Sequence, residues 1–291
     1  MTPFYLNNSS LPYLTCSKRY HLQVVQGLKP PPGGNKYTAA GIAFHKMMQI
    51  IGTEACPDIN LWLLFARDKL PEKITSIPET QALQLGRMAQ RIYTEHPELF
   101  ADCRRELHFE YHLPGDANEN SAFKPYRTGT IDLLTYDQST DTVIITDYKT
   151  TAKPIDGNLI TSYALTSQRF YYQLAVYYLD NLPAHYISAI KSHRLAWRYC
   201  FVSAEKDEYH LAQPQLVNLI EQETFFRLFR EKALLADYIH NDPTLAVKEG
   251  ILNGSCWRCP FTSICTAETE DNLITNWPYG TAPYNPKHQD D

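Results

Sequence analysis

The sequence predicts an α/β fold in which a central mixed sheet is flanked by helices and carries helical additions. Two short apolar segments, near 128–136 and 142–149, are joined by a polar, turn-rich stretch that is typical of a hairpin. A third segment, near 104–113, alternates apolar and polar residues as a half-buried strand does. Helical patterns fall near 38–52, 58–70, 79–96, 167–181 and 213–238, and further strand patterns fall in parts of 185–203. This order of elements indicates a sheet with a helix packed across it.

The second strand of the hairpin ends in an acid and a base. The apolar run Val143-Ile144-Ile145 leads into Thr146-Asp147-Tyr148-Lys149-Thr150. Because alternate side chains of a strand share a face, Asp147 and Lys149 project from one side, about 6–7 Å apart along the backbone. Burying these charges is costly unless they pair with each other or bind a metal. A structural ion pair and a catalytic site both account for the pattern.

The first strand of the hairpin contains an acid as well. Asp132 lies within the apolar segment 129–134, and antiparallel pairing of the two strands brings it close to Asp147. Two carboxylates on one buried patch repel each other unless a hard divalent cation lies between them. A neighbouring lysine can orient water or stabilise developing negative charge. Two acids and a lysine in this arrangement indicate phosphodiester cleavage with Mg²⁺ or Mn²⁺.

These segments resemble a known family. Gly129-x-Ile131-Asp132, followed by Asp147-Tyr148-Lys149-Thr150, is similar to the core motif of the PD-(D/E)XK nuclease superfamily, which has a restriction-endonuclease-like core. The RecB-like exonuclease branch adds a histidine on an N-terminal helix, matched by His45 in Gly41-Ile42-Ala43-Phe44-His45. It also adds a Q-x-x-x-Y motif, matched by Gln173-Leu174-Ala175-Val176-Tyr177.

The resemblance implies a role for each matched residue. His45, Asp132 and Asp147 are expected to bind the metal, and Lys149 is expected to orient the nucleophile or stabilise the transition state. Gln173 and Tyr177 are expected to position the DNA strand. Without the resemblance, His45 borders an apolar helix face and reads as a satisfied core histidine. Likewise, Gln173 and Tyr177 share a helix face that reads as a solvated surface.

The strand near 104–113 has one apolar face and one polar face. Leu107, Phe109, Tyr111 and Leu113 share its apolar face, whereas Glu106, His108, Glu110 and His112 share the other. The polar face is interpreted as the solvated side of an edge strand. A contribution to the metal site is the alternative, with Glu110 as the first residue to test.

The cysteines predict a second metal site. The chain has seven cysteines and no recognisable signal peptide, which argues against a disulfide framework. Three of them, Cys256, Cys259 and Cys265, have the C-x2-C-x5-C spacing of a metal-binding segment. Three thiolates leave such a site one ligand short, and the candidates for the fourth are Cys16, Cys56, Cys103 and Cys200.

The surroundings of Cys16 resemble the opening motif of RecB-like nucleases that hold an iron–sulfur cluster. These include the CRISPR-associated adaptation exonucleases and the AddB nuclease domain. In those proteins one N-terminal cysteine joins three near the C-terminus, which implies a [4Fe–4S] cluster on Cys16, Cys256, Cys259 and Cys265. Zinc is the alternative, since four thiolates bind it well. Either the iron–sulfur cluster or a zinc ion would join the N- and C-terminal segments of the chain.

The predicted organisation has four parts. Residues 1–36 form an N-terminal segment with the first cluster cysteine, and 37–245 form the nuclease core with a helical insertion. Residues 246–269 form the C-terminal cysteine segment, and 270–291 form a tail rich in Pro, Asn and Asp. No apolar run approaches the length of a membrane span, so a soluble, cytoplasmic protein is expected.

The sequence therefore predicts a metal-dependent DNA nuclease, most simply an exonuclease acting on single strands or duplex ends. Its partners are expected to be DNA and the proteins of a recombination, repair or DNA-processing complex. The net charge of −5 does not by itself favour nucleic-acid binding. The alternatives are a non-catalytic nucleic-acid-binding or assembly subunit on the same scaffold and a zinc-stapled structural protein in which Asp147 and Lys149 only pair.

Overall fold

A computed structural model of the chain describes residues 2–8, 14, 16–28, 36–53, 77–113, 115–117, 119–164, 166–179, 181–246 and 261. The α-helices are α1 (Ser17–Tyr20), α2 (Lys36–Ile50), α3 (Glu79–Glu95), α4 (Glu98–Ala101), α5 (Gly157–Ala164), α6 (Ser167–Val176), α7 (Ala184–Lys191) and α8 (Leu219–Asn241). A π-helix (His21–Val25) continues α1, and a 3₁₀ helix (Pro243–Leu245) follows α8. The strands are β1 (Thr2–Leu6), β2 (Cys103–Tyr111), β3 (Phe123–Asp137), β4 (Thr142–Thr151), β5 (Leu195–Ser203), β6 (Tyr209–Leu211) and β7 (Gln215–Leu216).

Most of the predicted elements are confirmed. The helices predicted near 38–52, 79–96 and 167–181 are α2, α3 and α6, and the three strands predicted between 104 and 149 are β2, β3 and β4. The helix predicted near 213–238 is wrong at its start, because Gln215–Leu216 pair with β5 and the helix begins at Leu219. The predicted helix near 58–70 and the tail 270–291 lie outside the described residues. No helix in the described part of the chain has the length and apolar character needed to cross a bilayer.

The chain divides into two compact units that are discontinuous in sequence. One unit contains Met1–Gly33, Glu110–Gly129 and Thr224–Asp291; the other contains Gly34–Phe109 and Thr130–Glu223. The second unit includes the predicted hairpin, the helices α2 to α4 that precede it and the helices α5 to α7 that follow it. We call it the hairpin unit. The four-part organisation given above stays a prediction.

The hairpin unit contains a mixed sheet. β3 and β4 are antiparallel, β4 and β5 are parallel, and β5 pairs antiparallel with both β6 and β7. A parallel pair needs a long crossover, and α5, α6 and α7 supply it between β4 and β5. The predicted central mixed sheet flanked by helices is therefore confirmed.

One face of this sheet is buried under α2 and α3. Leu133, Tyr148, Cys200 and Val202 project from three strands into a core that also contains Phe44. The ring of Phe44 packs edge-on against Tyr148, with ring centroids 5.8 Å apart. Because Tyr148 lies between Asp147 and Lys149, this core fixes the backbone of the strand segment that carries both charged residues.

The other unit is organised around buried polar pairs. The guanidinium of Arg127 makes two hydrogen bonds, of 2.8 and 2.9 Å, to the carboxylate of Asp116, and both side chains are 1 % exposed. His240 of α8 stacks on Phe4 of β1 with ring centroids 4.1 Å apart, and its Nε2 lies 3.3 Å from the Tyr20 hydroxyl. Removing one partner of a buried ion pair such as that of Arg127 and Asp116 is destabilising, because the remaining charge is left uncompensated.

Candidate metal centre

A glycine on α2 allows the helix to lie close to β4. A Cβ added at Gly41 would lie 3.1 Å from Oγ1 of Thr150, so a larger side chain there would push the helix away from the strand. One turn later, His45 reaches the same strand. Its Nε2 lies 3.1 Å from the carbonyl oxygen of Tyr148, and its ring meets that of Tyr148 edge-on. Close packing of the helix therefore places the imidazole at the end of β4.

The β3–β4 ladder brings two carboxylates to the same place. Leu133 is paired with Thr146, and continuing that antiparallel register by one residue sets Asp132 opposite Asp147. Oδ2 of Asp132 accepts a 2.8 Å hydrogen bond from the Tyr148 amide, and its Oδ1 lies 3.2 Å from Nδ1 of His45. His45 and Asp132 therefore lie in contact, with Asp147 on the neighbouring strand; that these three residues bind one metal stays a prediction.

Glu106 completes the cluster, and it comes from the polar face of β2 for which a contribution to the metal site is the alternative prediction. Its backbone has φ +47° within strand β2, a left-handed conformation that costs a non-glycine residue about 1 kcal/mol. Its Oε1 lies 3.9 Å from Nδ1 of His45. One ligand atom from each of His45, Glu106 and Asp132 lies within 4.8 Å of the others, a spacing suited to a shared cation. Glu110, which the alternating pattern singled out, is exposed.

The electrostatics of this cluster suit the binding of a cation. Burial lowers the pKa of His45, but the carboxylates of Asp132, Asp147 and Glu106 outweigh it and raise that pKa to about 9. Burial raises the pKa of Glu106 to about 7, and the Asp132 charge adds to the effect. Crowded acids that hold protons in this way give them up to a divalent cation.

The carboxylate of Asp147 is contacted by two side chains, those of Lys149 and Gln168. Lys149 Nζ is 2.5 Å from Oδ2 of Asp147, and Nε2 of Gln168 donates a 3.0 Å hydrogen bond to Oδ1. Burial raises the pKa of Asp147 to about 6, against the attraction of Lys149 and with the help of the Asp132 charge. The carboxylate therefore has little solvent around it, and each of its oxygens faces a nitrogen donor.

The predicted Q-x-x-x-Y pair lies further along α6. Gln173 is buried within the helix, and Tyr177 is half-buried at its C-cap. The amide that contacts Asp147 instead belongs to Gln168, which starts a second Q-x-x-x-Y pair with Tyr172. Burial raises the pKa of Tyr172, and its hydroxyl bonds the Gln168 side chain. The sequence contains both spacings, and only the structure shows which glutamine reaches the carboxylate.

The cysteine site is only partly within the described residues. Cys16 is buried and forms the N-cap of α1. Cys256, Cys259 and Cys265 lie outside the described residues. Cys200 is buried in the core of the hairpin unit, where burial raises the pKa of its thiol to about 12 and makes it a weak ligand.

The donor set of the cluster fits a hard divalent cation. Two carboxylates and an imidazole are ligands that Mn²⁺ accepts and Mg²⁺ tolerates, whereas thiols are absent from this group. The Tyr148 carbonyl, 3.1 Å from Nε2 of His45, offers a further oxygen. With Lys149 next to Asp147, the arrangement can bind a cation and place a positive side chain beside a phosphate.

The chain was compared with known proteins. A family model for the PD-(D/E)XK nuclease superfamily matches residues 11–266. The chain is similar in structure to a protein from Eubacterium rectale described as a "putative exonuclease", with a TM-score of 0.49 and 9% identity over 81% of this chain and 82% of that one. It is also similar to SSO0001, with a TM-score of 0.31 and 12% identity over 80% of this chain and 96% of that one. No functionally curated protein matched the sequence. Both structural likenesses are loose, so the family assignment depends on the family model.

The raised pKa of Glu106 predicts a pH-dependent effect of the Glu106→Gln substitution on metal-free protein. A carboxyl whose folded-state pKa is raised favours folding below its unfolded pKa, near 4.5, and loses that contribution as the pH rises through about 7. Glu106→Gln should therefore be more stable than the wild type at pH 8, by about 1–2 kcal/mol after allowing for solvent screening. Urea unfolding in the presence of a chelator at pH 4, 6 and 8 measures the difference.

The matched control is Glu110→Gln, on the same strand but exposed. It should leave the free energy of unfolding unchanged at all three pH values. A Glu106→Gln effect that is equally large at pH 4 and pH 8 would contradict the assigned electrostatics.

Proposed function

The chain belongs to the PD-(D/E)XK nuclease superfamily, and from this membership we propose that it is a metal-dependent DNA nuclease, an exonuclease of the RecB-like branch. The observation that carries the proposal is the convergence of His45, Glu106 and Asp132 beside the Asp147–Lys149 pair. A purely structural ion pair between Asp147 and Lys149 would not need a histidine and two more acids around it.

We assign the metal to His45, Asp132 and Asp147, with Glu106 as an additional ligand. These oxygen and nitrogen donors fit Mg²⁺ or Mn²⁺. When bound, such an ion lowers the pKa of a water molecule and offsets charge on the scissile phosphate. The Tyr148 amide holds one oxygen of Asp132 at 2.8 Å, which leaves the other oxygen directed at His45.

Lys149 is assigned to orienting the nucleophile or stabilising the negative charge that develops in the transition state. Its side chain is 17 % exposed, so the ammonium can meet a substrate, while Asp147 holds it at 2.5 Å. Gln168 fixes the opposite oxygen of Asp147 and so orients the carboxylate toward both the lysine and the cluster. Gln173 and Tyr177 are assigned to positioning the DNA strand. Because Gln173 is buried, it would do so indirectly, by fixing the position of α6.

We also propose that Cys16, Cys256, Cys259 and Cys265 hold a [4Fe–4S] cluster, with zinc as the alternative. The C-x2-C-x5-C spacing and the resemblance of the Cys16 segment support this ligand set. Buried Cys16 at the start of α1 agrees with a role inside the protein.

A non-catalytic nucleic-acid-binding or assembly subunit is the second candidate function. The net charge of −5 favours the assembly role within this alternative, because any protein that binds DNA gains affinity from positive surface charge. The retained acids and lysine favour catalysis, because binding alone does not require a cation between buried carboxylates.

The catalytic assignment predicts that Asp147→Asn and Lys149→Ala remove Mn²⁺-dependent DNA degradation. Loss of the lysine should lower turnover by about 10²–10³-fold, because one preorganised donor to the transition state is lost. The measurement is degradation of end-labelled single- and double-stranded DNA with Mg²⁺ or Mn²⁺. Labels at either end also report polarity and exonuclease action.

Asp207→Asn is the control for these variants, since Asp207 is exposed on the loop after β5. It should retain wild-type activity. The proposal is wrong if wild-type protein with either metal cuts neither substrate, or if Asp147→Asn cuts as fast as the wild type.

The contact with Asp147 predicts that Gln168→Ala lowers kcat by about 10–100-fold with little change in KM, as residues that orient ligands do. Losing an amide donor to the carboxylate raises the pKa of Asp147, so the acid limb of the pH–rate profile should move to higher pH. Gln215→Ala, in exposed β7, is the control. An unchanged kcat and pH profile in Gln168→Ala would remove this residue from the site.

The cluster assignment predicts that anaerobically purified protein is brown and contains about four iron and four sulfide per chain. Cys16→Ser should lose the visible absorbance and lower the unfolding temperature, whereas Cys103→Ser should keep both. Iron and sulfide analysis alongside thermal unfolding measures this. One zinc per chain in place of iron would overturn the iron–sulfur assignment.

A further inference from the structure

The hairpin unit contains a cavity that no residue of the metal centre lines. Its volume is about 1160 Å³, and it lies at the turn end of the β3–β4 hairpin. Thr135, Asp137 and Thr142 line it from the hairpin, and Ala196 and Arg198 line it from β5. The cavity is therefore available to a ligand other than the DNA strand that we propose binds at the metal centre.

Arg198 is a buried cation directed at this cavity. The side chain is 8 % exposed, and its Nε donates a 2.9 Å hydrogen bond to Oγ1 of Thr146. Among the described residues, no carboxylate lies within ion-pair distance of its guanidinium. The N–H groups on the two terminal nitrogens of the guanidinium are therefore available to a ligand. Burial lowers the pKa of Arg198. A buried cation without a counterion is costly to retain.

Three acids of the described part of the chain line the cavity, and each has a partner; for Glu98 it is His96, whose Nδ1 lies 3.2 Å from Oε1 of the carboxylate. Ser139 and Thr140 donate to both oxygens of Asp137 and lower its pKa. Asp102 accepts from His185 at 2.8 Å and from the Tyr186 hydroxyl at 3.2 Å. These carboxylates are engaged locally, and although the charges of Glu98 and Asp137 act on Arg198, it is the charged group of the cavity without a direct ion-pair partner among the described residues.

We propose that this cavity binds a carboxylate-bearing ligand, whose carboxylate pairs with the terminal nitrogens of Arg198. Since Thr146 occupies Nε, the free edge of the guanidinium presents two nitrogens, which suits the two oxygens of a carboxylate. The acids around the cavity disfavour a dianionic phosphate more strongly than a single negative charge. The volume exceeds that of one ion, so the carboxylate can belong to a small organic acid or to an acidic peptide.

The test uses the full-length protein labelled with ¹⁵N at arginine side chains. The Nε–H signal of Arg198, identified by its loss in Arg198→Lys, is followed at constant ionic strength and pH 7. The added probes are butyrate and the capped peptide acetyl-Ala-Glu-Ala-amide, each with a single carboxylate, and inorganic phosphate. A saturable shift with a carboxylate probe, at least tenfold tighter than with phosphate, supports the proposal. Which of the two carboxylate probes binds with higher affinity shows whether the ligand is a small organic acid or a peptide.

Arg198→Gln provides the second measurement, because its amide can still donate to Thr146 while the charge is removed. Butyrate or the peptide should raise the unfolding temperature of the wild type and not that of Arg198→Gln. DNA cleavage should be unchanged in the variant, which separates this site from the metal centre. The proposal is overturned if neither carboxylate shifts the wild-type Arg198 signal, if phosphate binds as tightly, or if Arg198→Gln responds as the wild type does.

Discussion

The repulsion between Asp132 and Asp147 is the constraint on which the rest of the site depends. The antiparallel register of β3 and β4 sets these carboxylates opposite each other on a buried face. Water cannot screen them there, so the protein supplies positive charge and hydrogen bonds from other elements. His45 approaches Asp132 from α2, and Lys149 approaches Asp147 from the same strand. With Glu106 nearby, the acids outnumber these two cations, and the remaining imbalance is what a divalent ion would neutralise.

Tyr148 connects this electrostatic arrangement to the hydrophobic core. Its side chain is buried against Phe44, while its amide donates to Asp132 and its carbonyl lies against His45. One residue of β4 therefore orients groups from β3 and α2. Packing holds Tyr148 in one conformation, so the same packing sets the separation of the candidate ligands. The core of the hairpin unit thus contributes to the geometry of the site as well as to stability.

Much of this arrangement could be predicted from the sequence, because it depends on strand periodicity and one hairpin. The convergence of Asp132 with Asp147 follows from antiparallel pairing, and the family motif adds His45. Glu106 was one of four residues on the polar face predicted for the strand near 104–113, but it could not be singled out, because its left-handed backbone interrupts the alternation that made Glu110 the first residue to test. Gln168 was missed for a different reason: two consecutive Q-x-x-x-Y spacings occur along one helix, and helix rotation decides which glutamine meets Asp147.

A Mn²⁺ titration tests the central claim, that the buried acids and His45 form a cation site. Calorimetry of chelator-treated protein at pH 7.5 should show saturable binding, accompanied by proton release that is detected by repeating the titration in buffers of different ionisation enthalpy. Asp132→Asn should weaken the binding at least tenfold, while Asp207→Asn should leave it unchanged. Undetectable binding by the wild type, or equal binding by Asp132→Asn, would contradict the account.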